Sequence, residues 1–450
     1  MMKSESQKYR VNTTKVSVIG LGKLGLCTAA CLADSGYSVL GVDNNPDVIR
    51  QVNKGISPHG ETGLQDLIVK VKPRLSAKLS EYQTAVLETD ITFLVVPTPS
   101  TEKGDFSTGY LTDALKPMTM ALSETTKPYH LFVIVSTVSP GALMEELVPM
   151  MEFHSNRQIN HGFGMCYNPE FVALGSVIHD FFNPDLVLIG ENHPSDGDIL
   201  EGVYRNVCRN QPKVARMSIP NAEITKISLN AYVTMKISFV NTLTSLCDNI
   251  PGAEIDKITT ALGADRRIGG HFLRGGPPFG GPCFPRDNRA FTRFARDQGQ
   301  HAWLAEATDQ VNRTHASIII DKIDRIANLK KMTIGILGCA YKPGTPVLEE
   351  SFSIELIDKL VKNKHKVMVY DPLAINNVKE QFGDLVQYAD SVESCVTGSD
   401  VLVLAVPDPL YSRVGTWLQE SSDKIIFDLW RMLIDDDLSS HDYFAFGKYH

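Results

Sequence analysis

The chain has 450 residues, 43% hydrophobic and 21% charged, the balance of an ordinary globular protein long enough for two or three domains. A formal net charge of −8 argues against a nucleic-acid binder, whose affinity rests on basic phosphate contacts, and no apolar run approaches a membrane span. Met1 to Thr14 is polar and lacks the apolar stretch of a signal peptide, and eight scattered cysteines without a C-x-x-C pair or Cys/His cluster suggest neither zinc nor a disulfide framework, so a reducing cytoplasm is expected.

Lys15 to Gly20 reads as a short apolar strand that runs into Gly20-Leu21-Gly22-Lys23-Leu24-Gly25 and then a helix to Asp34. This is G-x-G-x-x-G between a strand and a helix: Gly20 makes the turn, Gly22 admits a pyrophosphate, and Gly25 lets helix pack on strand. Cys27 and Cys31, one turn apart, fall on the packing face of that helix. A second strand, Tyr37 to Val42, ends in Asp43, a carboxylate that can hold both ribose hydroxyls and would repel the extra phosphate of NADP, so NAD is the expected cofactor. The competing reading is a retained fold that binds nothing.

Ile91 to Val96 and Leu131 to Val135 read as two more strands, ending in Pro97-Thr98-Pro99 and Ser136-Thr137-Val138. Polar residues at the carboxyl ends of parallel strands sit where ligands bind, although Thr98 and Thr137 could equally cap helices. Another strand closes at Cys166-Tyr-Asn168-Pro169-Glu170-Phe171, and Pro184 to Gly190 adds one more. The fold class that follows is α/β, with two Rossmann-like doubly wound parallel-sheet domains joined by a long central helix. The expected domains are residues 1–205 for NAD, 206–328 helical, and 329–450 as a second Rossmann-like unit suited to a different nucleotide-bearing ligand.

A long helical pattern runs from Ala222 to about Ile250 and places Lys226 and Asn230 one turn apart. Both can reach one ligand, or they are a solvated lysine and a capping asparagine. A shorter helix covers Ala253 to Leu262. Arg267 and Arg274 then flank a glycine-rich strip whose composition suits a diphosphate. The strip leads into Pro277-Pro278-Phe279-Gly280-Gly281-Pro282-Cys283, followed by Arg286 and Asp287. This run reads as a loop with a nucleophile at its end, or as a tight turn around a structural cysteine. Helices are expected at Asn288 to Gln298 and Trp303 to Asn328. The last part repeats the first in outline: Met332 to Gly338, Lys366 to Asp371 and Val401 to Pro407 match the earlier strands. Its first turn, Cys339-Ala-Tyr341-Lys342-Pro-Gly344, breaks the dinucleotide fingerprint and supplies a lysine.

From Lys15 to Leu433 the chain resembles the UDP-glucose/GDP-mannose dehydrogenase family, most specifically in Asn168-Pro169-Glu170-Phe171, Lys226 with Asn230, Phe279 to Phe284 with Asp287, and Gly338-Cys-Ala-Tyr341-Lys342. The resemblance implies NAD-dependent, four-electron oxidation of the C6 alcohol of a nucleotide-linked hexose, with UDP-glucose the first choice. It implies a Cys283 thiohemiacetal and thioester, oxyanion stabilisation by Lys226, water positioned by Asp287 and Thr137, and Glu170 as the base of hydrolysis. Asn230, Arg267, the loop Phe272-Leu273-Arg274-Gly275 to Phe279-Gly280, Phe171, Tyr341 and Lys342 would grip the nucleotide sugar. A homodimer or higher oligomer through the long helix, and products that feed surface polysaccharides, are further family expectations. Leu174 and Glu349 stand where the family usually has an acidic residue and an arginine. They motivate the alternatives: a nucleotide-sugar-binding paralogue with weak or regulatory activity, or a dehydrogenase for GDP-mannose or a UDP-N-acetylhexosamine.

Overall fold

The structure, a computed structural model, describes residues 14–449 apart from residues 331 and 422. The expectation drawn from the polar N-terminal stretch therefore lies, over residues 1–13, outside the described residues. The chain divides into two compact units between Ile227 and Ser228.

The first unit is built on strands β1 (Lys15–Ile19), β2 (Ser38–Asp43), β3 (Leu75–Leu79), β4 (Ile91–Leu94), β5 (Leu131–Ile134), β6 (Gln158–Ile159), β7 (Gly162–Tyr167), β8 (Leu186–Glu191) and β9 (Lys213–Ser218). Their order is β3-β2-β1-β4-β5-β7-β8-β9, with β6 beside β7. β1 to β5 and β7 run parallel. The order reverses between β1 and β4, so a crevice opens beyond the carboxyl ends of these strands. The apolar runs alternate between two cores. Val16, Val18, Ile91, Phe93, Leu131 and Val133 pack on one face with the Lys23–Asp34 helix. Ile19, Leu94, Phe132 and Ile134 pack on the other with the Gly109–Ser123 helix. Burial on both faces is why these strands read as unbroken apolar runs.

Two features differ from the sequence reading. β8 is antiparallel to β7 and β9 runs with β8, so the far end of the sheet reverses direction. β3 and β9 are strands that the sequence does not announce, because β3 is a half-exposed edge and no residue of β9 is fully buried.

In the second unit β10 (Thr333–Leu337), β11 (Lys366–Tyr370), β12 (Gln387–Tyr388), β13 (Val401–Leu404), β14 (Ile425–Asp428) and β15 (Asp442–Ala445) form a wholly parallel sheet in the order β12-β11-β10-β13-β14-β15. Its helical part comprises the continuation of the Ile219–Cys247 helix with Ile255–Ala264, Phe284–Asp297 and Trp303–Lys330. The Phe284–Asp297 helix starts four residues before the expected Asn288, because Pro285 falls in its first turn, where a missing N–H costs nothing. Ile224, Tyr232, Phe239 and Leu246 recur at near-heptad spacing along the long helix and remain exposed. Among the described residues no helix is long and apolar enough to cross a membrane, and no group of acids, histidines and cysteines could hold a metal ion.

Candidate active site

The glycine turn after β1 has the backbone that the fingerprint requires. Gly20 adopts φ +88°, and a Cβ there would lie 2.5 Å from the Val95 carbonyl oxygen. A Cβ on Gly25 would fall 1.9 Å from the Gly20 oxygen, so the helix lies against the turn only because position 25 is glycine. Gly22 has open space around it and caps a helix with no side chain bonded to its first turn. These free N–H groups suit a pyrophosphate.

Asp43, at the end of β2, accepts one backbone N–H on each oxygen: Leu21 N at 2.7 Å and Asn45 N at 2.8 Å. Each oxygen keeps a second lone-pair direction, the pair that a ribose diol needs. The donor set therefore fits NAD. Leu21 is also held from its other side, since His59 Nε2 lies 2.8 Å from the Leu21 carbonyl oxygen. A carbonyl can only accept, so Nε2 carries the proton. Lys23 and Leu24 open the helix. Pro97 is exposed and Thr98 is buried beyond β4, and Ser136 donates to the Val96 carbonyl at 2.7 Å, joining the ends of β4 and β5 beside Thr137. His59 was not legible as a site residue.

Beyond β7, Asn168 is buried and donates through Nδ2 to Leu188 O at 2.8 Å. The Tyr204 hydroxyl stands 2.6 Å from Asn168 Oδ1 and 3.0 Å from Glu170 Oε1. Burial pushes the Glu170 carboxyl up to about 7, against the downward pull of Tyr204 and Lys226. Lys226 is buried, donates to the main-chain oxygen of Glu170 at 2.6 Å, and lies 4.6 Å from the centre of the Phe171 ring. The ammonium thus fixes the Asn168–Phe171 turn as well as placing a cation there. Leu174 packs against the core. Glu61 instead serves this turn, accepting from Gly175 N at 3.0 Å and Val177 N at 3.1 Å.

In the second unit Cys283 is the N-cap of the 14-residue Phe284–Asp297 helix. It is exposed, while the other seven cysteines are buried or half-buried. A thiolate at a helix N-terminus is stabilised by the dipole and the free N–H groups. Asp287, in the first turn, is buried and accepts from Asn230 Nδ2 at 2.7 Å.

The loop before Cys283 is stapled along its length. Asn241 accepts from Gly276 N at 3.1 Å, and His315 Nε2 lies 2.9 Å from the Gly276 oxygen. Asn312 bonds both the N–H and the carbonyl of Phe279 at 2.9 Å. Arg431 donates to Gly275 O at 2.7 Å and pairs with Asp256. Gly280 lets the chain pass under the Glu350 carbonyl, where a Cβ would sit at 2.0 Å. Gly281, at φ +83°, lies against the Tyr341 ring. Burial and the neighbouring Cys283 push the Tyr341 phenol up to about 12.

Phe272 and Phe279 both meet Phe284 edge-on, while Leu273 is buried in a cluster with Val240, Cys247 and Ile255. Arg274 stacks over Trp430, while Arg267 is exposed and paired with Asp265 at 2.6 Å. Lys342 lies 5.9 Å from the centre of the Tyr341 ring. Glu349 lends its carbonyl to Gly281 N, and Glu350 pairs with Arg289 at 2.7 Å.

The second doubly wound half copies the first with one change. Gly338 sits at φ +92°, as Gly20 does at +88°. Asp371 takes the place of Asp43 at the end of its strand but accepts four N–H groups: Cys339 and Ala340 on Oδ2, Leu373 and Ala374 on Oδ1.

Family models match in register with this architecture. Residues 14–208 match the NAD binding domain of the UDP-glucose/GDP-mannose dehydrogenase family, 220–314 its central domain and 335–435 its UDP binding domain. The chain is 31% identical to the UDP-glucose 6-dehydrogenase AglM of Haloferax volcanii over 92% of this chain and 96% of that protein. It is 29% identical to the GDP-mannose 6-dehydrogenase of Pseudomonas aeruginosa over 88% and 92%. A UDP-glucose dehydrogenase from Pyrobaculum islandicum superposes with a TM-score of 0.88 at 27% identity, covering 97% of this chain and 98% of that one. Three consecutive family domains on one chain, together with a glycine turn and an Asp43 suited to NAD, establish that the chain belongs to the UDP-glucose/GDP-mannose dehydrogenase family and is an NAD-dependent nucleotide-sugar dehydrogenase.

Proposed function

We propose that the chain oxidises the C6 alcohol of UDP-glucose to the carboxylate through a covalent adduct on Cys283. The observation that carries this reading is the exposed thiol at the N-terminus of a helix, on a loop held by Asn241, Asn312, His315 and Arg431. Two NAD molecules, bound in turn, would each take one hydride. The Cys283 thiolate adds to the aldehyde carbon left by the first oxidation, giving a thiohemiacetal. Its alkoxide collapses as the second hydride leaves, and the thioester remains. Water then attacks the thioester carbon, Glu170 takes the water proton, and Cys283 departs as the thiolate. A carboxyl held at about 7 by burial suits that role near neutral pH. Asp287, held by Asn230, and Thr137 order the water, while Lys226 stabilises the oxyanions. Arg267, Arg274, the Phe272–Gly280 strip, Tyr341 and Lys342 hold the nucleotide sugar.

UDP is favoured as the nucleotide because the last part of the chain matches a UDP binding domain and relatives of about 30% identity are named UDP-glucose 6-dehydrogenases. The exposed stripe of Ile224, Tyr232, Phe239 and Leu246 supports a homodimer through the long helix. A thiol nucleophile that must stay reduced suits the cytoplasm.

The test is NADH formation against UDP-glucose, UDP-N-acetylglucosamine, UDP-N-acetylmannosamine, GDP-mannose and dTDP-glucose, with NADH counted per sugar. Two NADH per UDP-glucose, and a Cys283→Ser variant that makes no carboxylate, are expected. Normal carboxylate production by that variant would overturn the covalent route. Nucleotide-sugar binding without NADH across the panel would favour a non-catalytic paralogue.

A further inference from the structure

The segment that presents Glu170 contains a hydrogen-bond conflict. Asn168 is fixed in orientation, because its Nδ2 donates to Leu188 O at 2.8 Å; its Oδ1 therefore faces Tyr204. The Tyr204 oxygen is 2.6 Å from that Oδ1 and 3.0 Å from Glu170 Oε1. A phenol carries one proton. With Glu170 ionised, two acceptors compete for it and one goes without. With Glu170 protonated, the acid donates to the phenol oxygen, the phenol donates to Asn168, and all three groups are satisfied.

We propose that Tyr204 is a positioning residue that works as a proton switch for Glu170, with Asn168 as the acceptor that holds the phenolic proton until the acid ionises. Ionisation swings the phenol O–H from Asn168 to Glu170, and reprotonation returns it. The switch is local to the first unit. The other groups facing Glu170 there are Lys226, whose ammonium donates to the main-chain oxygen and whose charge pulls the carboxyl down in every variant of the series, and the thiols of Cys31 and Cys208, both pushed upward, first by burial. Neither thiol ionises near neutral pH. The phenol is itself driven well above its ordinary range, by burial first and by Glu170 next, so it moves a hydrogen bond and not a charge. Because ionisation gives up the Asn168 bond, Asn168 keeps the acid protonated longer than burial alone would.

This inference rests on the reading of Glu170 as the base, and the experiment separates the two. The pH dependence of NADH formation from UDP-glucose is measured for the wild type, Glu170→Gln, Asn168→Ala, Tyr204→Phe and the Asn168→Ala/Tyr204→Phe double variant. The carboxyl carbons of 13C-glutamate-labelled proteins are titrated in parallel, with Glu170→Gln identifying the signal. An ascending limb near 7 that disappears in Glu170→Gln supports the base; a limb that survives there removes the base assignment, and the switch is then judged on the carboxyl titration. The switch predicts that Asn168→Ala lowers the Glu170 midpoint by about one pH unit, roughly the value of one neutral hydrogen bond. The same substitution made in the Tyr204→Phe background is expected to leave the midpoint where it was. An equal shift in both backgrounds, or none in either, overturns the switch. If Asn168→Ala does not fold, infrared difference spectra of the wild type against Tyr204→Phe decide. The phenol C–O band must move with the same midpoint as the carboxyl, and an unmoved band overturns the proposal.

Discussion

Gly281→Ala offers a sharp measure of how the nucleophile loop is held. Gly281 sits at φ +83°, and a Cβ would lie 2.5 and 2.6 Å from the Tyr341 ring carbons Cε2 and Cδ2. Two costs add. Left-handed backbone costs an L-residue about 1–2 kcal/mol. Forcing a methyl into a filled contact costs about 1–3 kcal/mol more. Gly344 separates them, because it has φ +74° and nothing within 4 Å of its Cβ position. Gly344→Ala is therefore expected to carry only the backbone cost, and Gly281→Ala about 2–5 kcal/mol. At roughly 2–4 °C per kcal/mol for a unit of this size, the apparent Tm of Gly281→Ala should fall by about 4–20 °C. The assay is thermal unfolding of the two single variants, then of Tyr341→Ala and Gly281→Ala/Tyr341→Ala. Removing the ring should recover the packing part and leave the backbone part, a favourable coupling in the double-mutant cycle. The reasoning is refuted if Gly281→Ala unfolds no earlier than Gly344→Ala, or if the two changes at 281 and 341 simply add.

Asn230→Leu leaves the buried Asp287 without the donor at 2.7 Å, so a loss of about 1–3 kcal/mol of stability is expected together with a fall in turnover, and an unchanged Tm would count against it. His59→Ala frees the Leu21 carbonyl; steady-state kinetics should show KM for NAD rising about 5-fold, one neutral hydrogen bond, while kcat stays within about 2-fold. An unchanged KM would refute the role. His130 is buried, its Nε2 2.7 Å from Thr92 Oγ1, and burial holds its pKa well below the usual value, with Lys127 adding to the effect. A base whose folded pKa is depressed contributes stability above its unfolded value, about 6.5, and loses it as pH falls. Below that pH the Tm should decline while the ring nitrogens still report a neutral imidazole; a midpoint at or above 6.5 by 15N resonance would contradict this.

Much of the fold was legible because its signals are local. The G-x-G-x-x-G turn, the apolar runs of β1, β4, β5, β10 and β13, and the long helix with its broad apolar face are each marked by local sequence. β9 did not, since its residues are neither a buried run nor a clear alternation. The reversal at β7/β8 was hidden for another reason: strand direction is set by the connection and not by composition. The loop that presents Cys283 could be found from its glycines and prolines. What holds it could not: Asn241, Asn312, His315 and Arg431 reach it from distant helices and from the chain after β14, and a polar residue on a helix carries no mark of its partner. Tyr204 stayed hidden likewise, as one aromatic among the buried positions of the Pro194–Val207 helix.

Asp371 accepts two N–H groups on each oxygen, which fills the directions that Asp43 leaves open in the other half. Ribose recognition of the Asp43 kind is thereby withheld from the duplicated fold, and with it a second berth for a dinucleotide. The consequence is one of timing. A four-electron oxidation on this chain must draw two oxidising equivalents through a single berth, one after the other. On the covalent route proposed for Cys283, the half-oxidised sugar waits between them, and the lifetime of that adduct, set against one change of cofactor, becomes the clock of the whole reaction.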